Sequence, residues 1–122
     1  MTTSGPDFVS FQVRDVDASA AFYEQVVGLT RVPGNPAAAV FSTGSGAAFA
    51  VRGPLPGVDL DAIGQLGAGI GVWFHDENAA ERHARLVEAG TRIVQEPTEG
   101  PFGLQFTFLD LDGYAVTIHS RA

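Results

Sequence analysis

Three histidines and one tryptophan carry most of the chemistry available to this chain. An imidazole can bind a metal, transfer a proton or hydrogen bond to a ligand, and Trp73 offers a large stacking surface with a polar N–H. We interpret His75 as an exposed loop residue and His83 as a residue packed on the apolar stripe of a helix. His119, near the end of the last predicted strand, is therefore the histidine that we expect to act in binding or proton transfer.

The carboxylates and the absence of cysteine limit the other chemistry. The chain has no Cys, which rules out disulfides and thiolate metal sites. No Ser–His–Asp order, phosphate loop or paired-carboxylate pattern is present. The aspartates at predicted helix starts or turns, where capping is a sufficient explanation, are Asp15, Asp17, Asp76, Asp110 and Asp112.

A unit that occurs twice positions these residues. Phe8 and Asp15 are each followed, 61 residues later, by Gly69 and Asp76, and such a repeat indicates two copies of one supersecondary unit. Apolar alternation predicts strands over residues 8–14, 29–33, 37–43, 47–52, 69–74, 92–96, 104–110 and 114–119.

Each predicted helix follows the first strand of its unit. The first helix is expected to have Asp17 as its N-cap and Gly28 at its left-handed end, and the second a capping box made by Asn78 and Glu81. In strand 69–74, alternation places Ile70, Val72 and Phe74 towards the helices and Trp73 on the opposite side.

Length, composition and charge bound the class of protein. The 122 residues, 45% of them hydrophobic, predict one domain over 1–122, with modules at 8–52 and 68–120 and a linker at 53–67. The net charge of −7 with only 7 Lys and Arg argues against nucleic-acid binding. It favours cationic small molecules, or simply keeps the protein in solution.

Targeting signals are not evident in the sequence. No apolar run approaches the length of about 20 residues that a membrane span needs. Residues 1–6 have neither the basic nor the apolar segment of a secretory signal. We therefore expect no membrane association and a cytoplasmic location.

Two motifs resemble those of the vicinal oxygen chelate superfamily, which includes glyoxalase I, extradiol dioxygenases, fosfomycin-resistance enzymes and bleomycin-resistance proteins. Residues 13–29 resemble its opening signature, and residues 108–114 its closing motif, with Leu111 where proline is usual. The resemblance implies an α+β fold in which two tandem βαβββ modules form half-barrels around a cavity. The modules either pair within one chain or swap with a partner, and we expect a homodimer.

The resemblance also implies four metal-ligand positions, and none of them carries the expected side chain. They fall on Phe8, on the segment 48–50, on Gly69 and on Thr117. Hard divalent ions need carboxylate oxygens and imidazole nitrogens. The sequence therefore predicts a member of the superfamily with no metal site and no cofactor.

Strand alternation, combined with the implied cavity, selects the candidate ligand-binding residues. Gly69 and Gly71 leave space beside Trp73, although an alternative is that Trp73 simply fills the barrel. Large aromatics with a few neutral polar groups are typical of a ligand pocket. The candidate residues are Phe8, Ser10, Gln12, Trp73, Gln105, Thr107, Thr117 and His119.

These observations favour a metal-independent small-molecule-binding protein of the bleomycin-resistance type, which sequesters a drug or metabolite. The expected ligand is a small organic molecule, aromatic or cationic. Two other hypotheses stay open. One is a lyase, isomerase or dioxygenase-type enzyme of the same superfamily with a non-standard site, and the other is an accessory domain with a vestigial pocket.

Overall fold

The computed structural model describes residues 2–34 and 36–121, which form two compact units divided after Ala62. Each unit contains one four-stranded mixed sheet and one main helical segment, which confirms the α+β fold with two βαβββ modules. The first unit contains β1 (Phe8–Gln12), α1 (Val16–Ala21), a π-helical segment (Phe22–Val27), β2 (Thr30–Val32), β3 (Ala38–Ser42), β4 (Ala48–Arg52) and a 3-10 turn (Leu60–Ala62). The second contains β5 (Trp73–His75), α2 (Ala79–Glu88), β6 (Arg92–Gly100), β7 (Gly103–Leu109) and β8 (Ala115–His119).

The sheet of the first unit buries one face against its helical segment. The strand order is β1-β4-β3-β2, with β1 parallel to β4. The Phe49 ring lies 5.0 Å from Phe11 and 4.8 Å from Tyr23, measured between centroids, and all three side chains are buried. Because side chains alternate along a strand, Phe8 and Ser10 lie on the other face of β1.

The first helix begins two residues earlier than the sequence predicted. Asp15, not Asp17, is the N-cap: its backbone is extended, and its Oδ1 accepts a hydrogen bond of 3.0 Å from the Ala18 N–H. Asp17 lies inside the first turn, where its charge favours the positive end of the helix dipole. The helix end is as predicted, since Gly28 has a φ of 91° and its N–H donates to the Tyr23 carbonyl at 3.0 Å.

The sheet of the second unit packs its core face against α2. Its strand order is β5-β8-β7-β6, with β5 parallel to β8 and the other pairs antiparallel. Phe106, Phe108 and Ile118 are buried on this face, as is Leu86 of α2. Strands 104–110 and 114–119 are thus confirmed as strands with the predicted alternation of side chains, and β6 extends further than predicted, to Gly100.

The predicted strand over 69–74 is wrong in its first half. Gly69 has a φ of 87°, a left-handed value that favours glycine, and it ends a turn in which the Ile70 N–H donates to the Gly67 carbonyl at 3.1 Å. Only residues from Trp73 onwards pair with β8. Ile70 is 73% exposed instead of packed on the helices. The repeat therefore preserves the aspartate and the helix more faithfully than the strand before them.

The start of α2 also differs from the prediction. Asn78 is the N-cap, but its side chain makes no capping hydrogen bond, so the predicted capping box is absent. Asp76 takes that place: its Oδ1 accepts from the Asn78 N–H at 2.9 Å and its Oδ2 from Arg82 Nε at 3.0 Å. With α2 at ten residues, no helix of the described chain is long and apolar enough to cross a membrane.

Candidate functional site

The face of the second sheet opposite its core brings most of the predicted residues together. We call it the Trp73 face. The strand register places side chains on it in two cross-strand rows, because residues opposite each other in neighbouring strands point to the same side. One row contains Trp73, Thr117, Thr107 and Gln95, and the next contains His75, His119, Gln105 and Thr98.

Hydroxyl groups in the first row are bonded to each other. Thr107 Oγ1 donates to Gln95 Oε1 at 3.3 Å and lies 2.7 Å from Thr117 Oγ1. A hydroxyl has a single proton, so the Thr117 hydroxyl is the donor towards Thr107. Thr117 is only 9% exposed. These two threonines therefore position the neighbouring side chains more than they offer protons to a ligand.

Three rings form an aromatic cluster at one edge of the Trp73 face. The Trp73 centroid lies 5.8 Å from Phe102 and 5.7 Å from His119, and Phe102 and His119 are 6.1 Å apart. These separations are normal for edge-to-face aromatic pairs. Trp73 is 46% and Phe102 52% exposed, so a large part of both rings is accessible.

Sequence reasoning missed Phe102, which lies between β6 and β7. Its position depends on the chain end, because the Arg121 N–H donates to the Phe102 carbonyl at 2.9 Å. The signal that was available is the group Pro101-Phe102-Gly103, a large aromatic at the tip of a hairpin, where polar residues are usual.

His75 is exposed, as predicted, but its placement in a loop is wrong. It is the last residue of β5, its ring lies 5.6 Å from that of His119, and the two are opposite each other in the parallel register. His75 Nε2 lies 3.2 Å from the Ser120 carbonyl and His119 Nδ1 lies 2.9 Å from the Arg121 carbonyl. The face thus carries two imidazoles, each held by a main-chain oxygen.

The third histidine lies on the other side of the same sheet. The His83 ring contacts the buried ring of Phe106 in an edge-to-face arrangement, with centroids 5.1 Å apart. Its Nε2 lies 3.3 Å from Glu96 Oε2. His83 is therefore a packed residue, as predicted, and takes no part in the Trp73 face.

The remaining predicted residues belong to the first unit. Phe8 is 55% exposed and Ser10 is exposed on the same face of β1. Gln12 has a structural role, since its Oε1 accepts from the Leu55 N–H at 2.9 Å and ties the segment after β4 to β1. That all eight predicted side chains line one cavity stays a prediction.

The positions implied for a divalent metal do not fit one. Phe8 and Ala48 are directly opposite each other in the β1–β4 register, and neither side chain has a donor atom. Gly69 lies in a turn, and Thr117 is bonded to Thr107. Within residues 2–34 and 36–121, no three His, Asp or Glu side chains are grouped so that they could hold a metal. Divalent ions require such ligands.

Comparison with known families agrees with this fold. The model of the Glyoxalase/Bleomycin resistance protein/Dioxygenase superfamily matches residues 5–118. The chain belongs to this superfamily. No curated protein sequence matches the chain.

Several solved structures resemble the chain over nearly its whole length. TnmS3, an antibiotic binding protein from Streptomyces sp. CB03234, is 21% identical with a TM-score of 0.78, covering 100% of this chain and 99% of its own. UcmS2 is 25% identical with a TM-score of 0.76, covering 98% and 99%. Lactoylglutathione lyase from Agrobacterium tumefaciens is 22% identical with a TM-score of 0.67, covering 98% and 95%.

Proposed function

We propose that the protein is a metal-independent small-molecule-binding protein that sequesters a drug or metabolite on the Trp73 face. The observation that carries the proposal is the aromatic cluster of Trp73, Phe102 and His119. Its rings lie about 6 Å apart beside a row of neutral polar groups, and two of them are about half exposed. Aromatic walls with a few polar groups are typical of ligand sites.

The chemistry of this face favours an aromatic ligand. A planar ring that covers Trp73 and Phe102 removes apolar surface from water at about 25 cal/mol per Å². Aromatic contact adds about 0.5–1.5 kcal/mol beyond burial. A positive charge on the ligand is favourable too, since the chain has a net charge of −7 and the exposed indole attracts cations.

The choice of binding over catalysis has two supports. Three of the four implied metal positions carry no donor atom, and the fourth, the Thr117 hydroxyl, is hydrogen-bonded to Thr107, so the metal-assisted reactions of the superfamily lack their carboxylate and imidazole ligands. The name of TnmS3 says that it is an antibiotic binding protein. At 21% identity that likeness concerns the fold, and the binding role is carried over only as part of this proposal.

Truncation of Trp73 tests the proposal. NMR titration with 2-naphthol and with ethidium, a neutral and a cationic aromatic probe, should shift amide signals of β5, β7 and β8. Trp73→Ala should weaken binding of the probe that binds by more than tenfold, because stacking and buried area are both lost. The matched control is Leu111→Ala, a truncation of a 60% exposed side chain in a turn of the same unit, which should leave affinity unchanged.

Two results would contradict the proposal. If Trp73→Ala unfolds the protein, the indole is a packing residue and the alternative that it fills the barrel is correct. If the variant folds and binds both probes like the parent protein, the ligand site lies elsewhere.

His119 supports a second candidate, a lyase or isomerase that transfers a proton without a metal. Its ring contacts Trp73, where an aromatic substrate would lie, and its Nδ1 is held by the Arg121 carbonyl. A base must be oriented in this manner to take a proton. Turnover that is lost in His119→Phe while binding persists would favour the enzyme, and tight binding without turnover favours sequestration.

A further inference from the structure

The two imidazoles of the Trp73 face have their ring protons assigned by their partners. A carbonyl oxygen only accepts hydrogen bonds. His119 Nδ1, 2.9 Å from the Arg121 carbonyl, must therefore carry a proton, and so must His75 Nε2, 3.2 Å from the Ser120 carbonyl. In the neutral state, the other nitrogen of each ring, His119 Nε2 and His75 Nδ1, has a lone pair and no proton.

These two nitrogens are the fixed acceptors of the face. Among the described residues, neither has a hydrogen-bond partner, and neither can donate while its ring is neutral. The rings lie 5.6 Å apart, and His119 lies 5.7 Å from Trp73. A molecule stacked on Trp73 thus lies next to the His119 ring and its acceptor nitrogen.

The threonine hydroxyls beside the imidazoles do not supply donors that would reverse this preference for a donor on the ligand. The hydroxyl protons of Thr107 and Thr117 are both used within the row that leads to Gln95. The indole N–H of Trp73 is a donor, and it suits an acceptor elsewhere on the same ligand. An acceptor directed at the imidazoles would meet a lone pair and leave two nitrogens unpaired, which costs affinity.

We infer that the ligand is a planar aromatic molecule with a hydroxyl or amino group on its ring, directed at His119 Nε2. This inference rests on the proposed function and adds that the ligand supplies the hydrogen-bond donor. A phenol or an aromatic amine donates a hydrogen bond to this nitrogen, whereas an ether or an unsubstituted ring of the same shape does not.

A matched pair of probes tests the inference on the full chain. We expect 2-naphthol to bind about threefold to tenfold more tightly than 2-methoxynaphthalene, which has the same ring system but no donor. In His119→Phe, which keeps an aromatic ring and removes the acceptor, the two probes should bind within twofold of each other. Leu111→Ala is the control and should keep the preference.

Long-range ¹H–¹⁵N spectra of the imidazoles test the premise without any ligand and would also reveal a disturbed fold. They should show the Nδ1–H form of neutral His119 and the Nε2–H form of neutral His75. The opposite tautomer for His119 overturns the inference. Equal affinity of the two naphthalenes, or binding of neither, overturns it as well. The proposed function then stands if ethidium still binds and falls with the inference if no probe binds.

Discussion

Gly103 holds the aromatic cluster in place, and its replacement by alanine should destabilise the second unit. Its φ is 84°, a left-handed value that costs a residue with a Cβ about 1–2 kcal/mol. A methyl group there would also overlap Ser120 Oγ and lie 3.1 Å from the Arg121 backbone nitrogen. Ser120 Oγ cannot move freely, because it accepts from the Leu104 N–H at 2.8 Å.

These two effects set the magnitude. Loss of the Ser120–Leu104 hydrogen bond contributes about 1 kcal/mol, so Gly103→Ala should lower the free energy of unfolding by about 2–3 kcal/mol. Displacement of Ser120 and Arg121 should also disturb the hydrogen bond from the Arg121 N–H to the Phe102 carbonyl. The contact of Phe102 with His119 should then loosen, and the affinity for aromatic ligands should fall. Urea denaturation followed by circular dichroism measures the first effect, as a lower midpoint with an unchanged slope.

Two further variants, Gly100→Ala and Ser120→Ala, serve as controls for this prediction. Gly100 has no positive φ, and a Cβ there would lie 3.3 Å from Oε1 of the Gln105 side chain, whose flexible end can shift, so Gly100→Ala should change stability by less than about 0.5 kcal/mol. In the Ser120→Ala background the overlap with Oγ is absent, and Gly103→Ala should cost about 1 kcal/mol less than in the parent protein. A loss below about 0.5 kcal/mol for Gly103→Ala, or one equal to that of Gly100→Ala, would refute the reasoning.

Three further predictions concern metal content, assembly and a turn. Elemental analysis after dialysis should find no stoichiometric divalent metal, and about one zinc, nickel, manganese or iron per chain would contradict the ligand argument. Light scattering should give a dimer mass. The reason is that the sheets have open edges, which favour self-association: within the described sheets, pairing occurs on one side only for β1, β2, β5 and β6. A monomer mass across micromolar concentrations would contradict this prediction. Asp110→Ala should lower the unfolding free energy by about 1–3 kcal/mol, since Asp110 Oδ1 accepts from the Asp112 and Tyr114 N–H groups. Asp110→Asn keeps that acceptor and should cost less in the same denaturation assay, and equal losses would show that the turn bonds are not the cause.

Local patterns in the sequence predicted the fold and much of the candidate site. Alternation along β7 and β8 separates the buried Phe106 and Ile118 from Thr107 and His119, because the side-chain period of a strand is two wherever one face is buried. The left-handed end of the first helix followed from Gly28 alone, since few other residues adopt that conformation. Such features depend on neighbours in the chain, so they are visible without a structure.

The shift of β5 and the choice of helix cap depended on tertiary pairing. The repeat predicted a strand from Gly69, but pairing with β8 begins only at Trp73, opposite Thr117. Asp15 and Asp17 are both acceptable caps in the sequence, and the end of β1 decides between them by leaving Asp15 extended. A local pattern does not contain the position of the partner strand.

The chemical identity of the Trp73 face was decided by the tertiary structure alone. The sequence determined that Trp73 and His119 lie at strand positions whose side chains point to the same face of the sheet. Only the folded hairpin brings Phe102 to both of them. The carbonyls that assign the protons of His75 and His119 belong to Ser120 and Arg121, and only the folded chain brings them to these rings. The physical reason is that a hydrogen bond is set by distances between atoms from separate segments, which no periodicity in the chain encodes.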